Sequence, residues 1–245
     1  MLRAAFAVLL SVSASAAVAQ EPLARADVET IVREYILQNP ELLEEAYTIL
    51  QQRRQAVEAQ ARVASLDTHR DTLENSQYSA IMGNPDGDVT LVEFFDYNCG
   101  YCKRAMGDLE RLIEDDPNLR VVMKEFPVLG PPSVEAAAVS ILVNEMKPEL
   151  YAEFHDRLLG VDGPADGETA LAIAVDMGFA REDIEGNLRS EAVRGAMQES
   201  YDVAKALGLS GTPSYVVGDQ VAFGAVGYDE LKAHINTARC GEMTC

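Results

Sequence analysis

Basic residues are scarce in this chain: 20 Lys and Arg stand against 40 Asp and Glu, a formal charge of -20 with a pI near 4.4. Nucleic acid and anionic membrane both need a basic surface, so neither is expected as a partner. Histidine is scarcer still, and its three copies, His69, His155 and His234, are isolated from one another. The only cysteines are Cys99, Cys102, Cys240 and Cys245. A structural zinc site needs a second pair of Cys or His ligands at matching spacing, and none accompanies Cys99 and Cys102. The eight methionines do not cluster as in a Met-rich copper carrier. Beyond the N-terminal leader, no segment approaches the roughly 18 continuous apolar residues that a membrane-spanning helix requires. What is present is 245 residues, 48% hydrophobic, enough for one large domain or two modest ones with a real core.

The most informative stretch runs from Val89 to Cys102. Val89-Thr90-Leu91-Val92-Glu93-Phe94-Phe95 is β-branched, aromatic and apolar, hence a buried strand, and it leads directly into Cys99-Gly100-Tyr101-Cys102 and a helical pattern. The free N–H groups and dipole of a first helical turn favour a thiolate, so Cys99 is expected to be the more acidic thiol. Asn98 is a good N-cap residue, and Met106, Leu109, Leu112 and Ile113 repeat at helical spacing until Pro117. Cys102, three residues further on, falls on the same side as Cys99, where it can attack a mixed disulfide. Glu93, inside an apolar strand, is costly without a role or partner. Proton exchange with Cys102 or pairing with Lys124 are the expected solutions.

Residues 1–19 carry Arg3, an apolar core and Ala17-Val18-Ala19, the pattern of a signal peptide cleaved after Ala19. The mature protein is therefore expected in an oxidising compartment such as the periplasm. Residues 20–78 read as a helical arm and linker. One amphipathic helix carries Val28, Ile31, Val32, Tyr35 and Ile36, Asn39-Pro40 breaks it, and a second carries Leu42, Leu43, Ala46, Ile49 and Leu50. Such an arm either docks on its own domain or associates with copies of itself through residues 20–75. Residues 67–80 lack periodicity and are expected to be a linker, with Asn84-Pro85-Asp86-Gly87 as a turn.

After the cysteine helix, Val121–Phe126 predicts a second strand, parallel to the first. Helices follow from Ser133 to about Arg189, with Gly160 and Gly178 at C-cap positions and His155 as a packed or partly exposed structural histidine. A further helix is predicted from Ser190 to Leu207, ending at Gly208. Thr212-Pro213 opens a strand, Gly218-Asp219 turns it, Gln220–Phe223 returns, and a helix from Tyr228 to Thr237 buries Leu231, Ile235 and Ala238. A cis Thr212-Pro213 bond would free the backbone of Thr212 to pair with an extended substrate. Cys240 and Cys245 are expected to form a small peripheral disulfide.

This order of elements, with Phe94-Phe95-Asp96-Tyr97-Asn98-Cys99-Gly100-Tyr101-Cys102-Lys103 and Gly211-Thr212-Pro213, resembles the DsbA family. The arm resembles that of its ScsC-like, copper-sensitivity suppressor branch, in which such arms mediate oligomerisation. The resemblance implies an α/β thioredoxin fold over residues 79–245 with a helical insertion at about 133–194. It implies Cys99 as attacking thiol, Cys102 as resolving thiol, Glu93 as the buried acid, and Thr212, Pro213, Gly100 and Tyr101 at the substrate site, with no metal and no cofactor. Strongly oxidising members carry Pro-His between the cysteines, whereas Gly100-Tyr101 with Thr212 is the combination of DsbC-type isomerases. DsbA and disulfide isomerase differ by about 60 mV, or about 2.8 kcal/mol for two electrons. The expected function is thus a periplasmic thiol-disulfide oxidoreductase acting on exported, cysteine-containing clients as isomerase or reductase, served by a membrane redox partner. A dithiol oxidase and a Cu(I)-binding copper-tolerance protein are the alternatives.

Overall fold

A computed structural model describes residues 24–245; the expected signal peptide lies outside the described residues. The described residues fall into two compact units, 24–56 and 57–245. In the first, helix α1 spans Arg25–Gln38 and buries none of its residues; Val28, Ile31, Val32 and Tyr35 are all exposed. Asn39-Pro40 separates it from α2, Glu41–Glu74, with Pro40 kept out of the helix interior, where it would cost a backbone hydrogen bond.

Helix α2 continues through residues 67–74, where a linker is expected from the sequence. Leu66 and Leu73, seven residues apart, are almost fully buried and hold these last turns in place. Tertiary packing thus overrides a polar, weakly patterned sequence. Strand β1, Ala80–Gly83, follows and has no counterpart in the sequence reading, since four residues carry too little alternation to register.

The sheet has the order β1-β3-β2-β4-β5, where β2 is Val89–Phe95, β3 is Leu119–Glu125, β4 is Ser214–Val217 and β5 is Gln220–Phe223. β2 and β3 pair in parallel, as expected of a strand–helix–strand unit, and the other three pairings are antiparallel. Period-two alternation divides the core between the two faces. Leu91 and Phe95 share one core with Leu109 and Leu112 of α3 (Gly100–Asp115) and with buried residues of α4 (Pro131–Met146), α5 (Tyr151–Leu159), α6 (Gly167–Asp176) and α9 (Tyr228–Cys240). Val92 and Phe94 meet Leu66 and Leu73 of α2 and Val203 and Leu207 of α8, Glu191–Leu207.

The insertion after β3 is helical as expected, with a short extra helix α7, Arg181–Asn187. Ser190 caps α8, its hydroxyl accepting the Val193 amide at 3.3 Å, and Gly208 ends it at φ 70°, a conformation that glycine adopts without the Cβ clash. Gly160 is the C-cap of α5, as expected, with ordinary right-handed dihedrals. In α9, Leu231 and Ile235 are buried, but Ala238 is exposed rather than inward. Cys240 and Cys245 are joined in a disulfide.

Candidate active site

The site forms where β2 ends and α3 begins. Helix α3 starts at Gly100 with Cys99 in the N-cap position, one residue later than the expected cap at Asn98. Asn98 instead ties down two distant segments. Its side-chain amide donates to Ser133 Oγ at 3.0 Å and to the Ala165 carbonyl at 2.8 Å, and its Oδ1 accepts the Ala165 amide at 2.8 Å. Asp96 organises the other flank. One carboxylate oxygen accepts the Asn98 amide at 2.8 Å, and the other accepts the amides of Val128 and Leu129 at 2.9 and 3.0 Å. Neither tether is legible in sequence, because the partners lie far along the chain.

Cys99 and Cys102 are free and buried, 6% and 1% exposed. When protonated, the Cys99 thiol donates to the Thr212 carbonyl at 3.1 Å, and Thr212-Pro213 is cis, placed immediately before β4 so that no ladder hydrogen bond is missed. Donation from the Cys102 thiol is the main influence lowering the Cys99 pKa to about 5. Partial burial opposes it, while the Thr212 side chain and the amides of Cys102 and Tyr101 add to the lowering. The same shared proton, together with burial and the charge of Glu93, pushes the Cys102 thiol far up. The pair therefore divides into one thiolate and one thiol at neutral pH, the asymmetry expected at a helix N-terminus.

Glu93 lies on the cysteine face of β2 and is fully buried. Burial pushes its pKa up to about 8, a hydrogen bond from Tyr215 opposes the rise, and the Cys99 charge adds to it. Tyr215 stands directly opposite Glu93 in the β2–β4 ladder. The expected pairing with Lys124 does not occur. Phe94, not Glu93, is the register partner of Lys124, so the two side chains leave opposite faces of the sheet. Lys124 Nζ instead donates to Glu199 and to the Thr72 carbonyl, each at 2.7 Å.

His155 is buried on α5, with its Nδ1 3.2 Å from the Tyr97 hydroxyl, which also bonds Ser140 at 2.7 Å. Burial lowers its pKa to about 4, so it is neutral and structural, in keeping with the sequence. Tyr101 is exposed beside a depression of about 280 Å³ that also reaches Thr212, Pro213 and Phe223. Among the described residues no group of three or more His, Cys, Asp or Glu is arranged to hold a metal. No described helix is long and apolar enough to cross a membrane.

Comparison with known proteins bears on this geometry. Residues 25–56 match the "Copper resistance protein ScsC N-terminal domain". The chain is 39% identical to a thioredoxin-like oxidoreductase of known structure from Silicibacter pomeroyi, with a TM-score of 0.66 over 69% of this chain and 97% of that one. It is 26% identical over 165 residues to "Disulfide bond formation protein D" of Bacillus subtilis, covering 63% of this chain and 74% of that protein. It is also 28% identical over 165 residues to a Na(+)/H(+) antiporter, NhaA 1, of Salinispora arenicola, covering 66% of this chain but spanning only 25% of that protein's length. Residues 90–236, which include the strand, both cysteines and the cis-proline segment, match the DSBA-like thioredoxin domain, and the chain belongs to that family.

Proposed function

We propose that the chain is a protein thiol-disulfide oxidoreductase working through Cys99 and Cys102, and that it acts mainly as a disulfide isomerase or reductase on exported proteins. The observation that carries this is the opposed acidity of the two thiols beside the Thr212 carbonyl. The Cys99 thiolate attacks one sulfur of a client disulfide, forming a mixed disulfide and releasing the other client sulfur as a thiolate. In isomerisation a different client cysteine thiolate attacks the client sulfur of the mixed disulfide, so that a new client disulfide forms and Cys99 leaves as its thiolate. In reduction, Cys102 gives its proton to Glu93 in its ionised form, whose share grows as pH approaches about 8, and attacks Cys99 Sγ; the client leaves as a thiolate and the Cys99–Cys102 disulfide forms. Gly100 keeps the approach to Cys99 open, and Tyr101, Thr212 and Pro213 line the surface on which the client chain lies.

A Cys99 pKa of about 5 stands between about 3.5 for DsbA and about 7 for thioredoxin. The same observation favours a second reading, a dithiol oxidase, since a stabilised thiolate makes the disulfide a stronger oxidant. Periplasmic location follows from the leader pattern of residues 1–19, a membrane redox partner from the need to reset the pair, and self-association from the exposed apolar stripe of α1. The test is reactivation of scrambled ribonuclease by the mature chain, with its solution mass measured alongside. A multimer that rescues the substrate supports isomerisation. A monomer that only oxidises reduced ribonuclease establishes the oxidase instead.

A further inference from the structure

Two exposed aromatic rings stand on either side of the cis-proline segment: Tyr101, 60% exposed, from the first turn of α3, and Phe223, 46% exposed, from the end of β5. Both line the 280 Å³ depression whose floor includes Thr212 and Pro213, and no acidic residue lines it. Each ring carries a guanidinium. Arg104 Cζ lies 4.2 Å from the Tyr101 centroid, and Arg62 Cζ, from α2, lies 5.0 Å from that of Phe223 while its Nε donates to the Leu207 carbonyl at 3.1 Å. Neither arginine lines the depression, so both hold the rings from outside it.

The two charges also lack counter-ions. In a chain of formal charge -20, seven of the fourteen described arginines are paired with a carboxylate, and Arg62 and Arg104 are among the seven that are not. Among the described residues no carboxylate pairs with Arg62 or Arg104. Two aromatic walls with two unneutralised cations behind them form a surface complementary to an apolar side chain with a carboxylate next to it.

We infer that Tyr101 and Phe223, positioned by Arg104 and Arg62, select client segments in which the reactive cysteine is flanked by an aromatic or large apolar residue and an acidic one. This names the substrate class of the site and rests on the oxidoreductase reading above. It also gives the root of α2 a part in recognition, through Arg62.

The test uses the reduced mature chain and four short peptides. Each carries its cysteine as a mixed disulfide with thionitrobenzoate, preceded by Phe or Ser and then by Asp or Lys. The Cys99 thiolate attacks the peptide sulfur and expels thionitrobenzoate, which is followed by its absorbance. Cys102 then gives up its proton and displaces the peptide thiolate, so one peptide disulfide is reduced as the Cys99–Cys102 pair is oxidised. Rates are divided by those of 2-mercaptoethanol with the same peptide, which removes differences in intrinsic reactivity. The Asp peptides are expected to react about fivefold faster than the Lys peptides, against the net charge of the protein, and to lose that advantage near 0.5 M salt. The Phe peptides are expected to exceed the Ser peptides about fivefold. Arg62→Gln with Arg104→Gln should bring the charge ratio close to one, and Phe223→Ala the aromatic ratio. Because these are ratios within one preparation, a general loss of reactivity or of fold cancels. Wild-type ratios near one, or ratios unchanged in the variants, overturn the inference while thionitrobenzoate release continues. No release from any peptide, with Cys99 and Cys102 still reduced, overturns the oxidoreductase reading and this inference with it.

Discussion

Replacing Glu93 by Gln should make the reduced protein more stable, and increasingly so as pH rises. Glu93 ionises at about 8 in the folded chain against an ordinary 4.5, chiefly because it is fully buried. Below 4.5 the carboxyl is protonated in both folded and unfolded chains and contributes nothing to the pH dependence. Between 4.5 and about 8 the folded state binds the extra proton, so stability falls as pH rises, by about 1.4 kcal/mol per pH unit. Above 8 the whole cost of burying the charge is present, about 5 kcal/mol. Glutamine keeps the shape and can still meet the Tyr215 hydroxyl, yet it never ionises. Wild type and Glu93→Gln should therefore unfold at similar denaturant concentrations at pH 4.5. They should separate progressively to pH 9, with the variant the more stable. The same substitution should slow resolution of a mixed disulfide at Cys99. It removes the acceptor for the Cys102 proton, so the rise in resolution rate as Glu93 ionises around pH 8 should disappear. Denaturation curves of the two reduced proteins that stay parallel from pH 4.5 to 9 would refute the assignment of Glu93 as a buried, neutral acid.

Thr212→Val removes the hydroxyl that helps hold the Cys99 thiolate. The thiolate absorbance near 240 nm should then titrate about one pH unit higher than the wild-type midpoint near 5. Leu73→Ala, far from the cysteines but almost fully buried, should cost about 2–5 kcal/mol in a denaturant titration; a loss below about 1 would place these α2 turns outside the core. Deleting the mature chain up to residue 56 should leave a domain that folds and keeps its Cys99 pKa. Deleting to residue 75 takes Leu66 and Leu73 with it and should leave a chain without a cooperative thermal transition. His155, neutral down to about pH 4, should show no imidazole titration by NMR between pH 5 and 8; a midpoint near 6.5 would mean it is not enclosed.

The strand from Val89, the cysteine helix and the Gly211-Thr212-Pro213 turn were legible in sequence because their signals are local: an apolar run, a helical repeat, a proline that fixes where a strand can open. The extent of α8, from about Ser190 to its end at Gly208, was legible for the same reason. What escaped is set by pairing across long chain separations. Strand β1 is recognisable only once β3 offers it an edge. The last turns of α2 depend on two leucines that meet a sheet face formed later in the chain. Glu93 was identified as a buried acid, but its partner could not be, because choosing Tyr215 over Lys124 requires the register of two ladders.

Asp96 and Asn98 suspend both segments beside the thiols from two short side chains on one turn: residues 128 and 129 from the first, residues 133 and 165 from the second. Together with the Tyr97 hydroxyl on Ser140 and His155 and the Lys103 ammonium on the Val161 carbonyl, these attachments tie the helical insertion to the segment that carries the thiols. The outer faces of the insertion can diversify, or be exchanged by design for those of a relative, without disturbing Cys99, provided that the residues landing at 128–129, 133, 140, 155, 161 and 165 still present the same hydrogen-bonding groups.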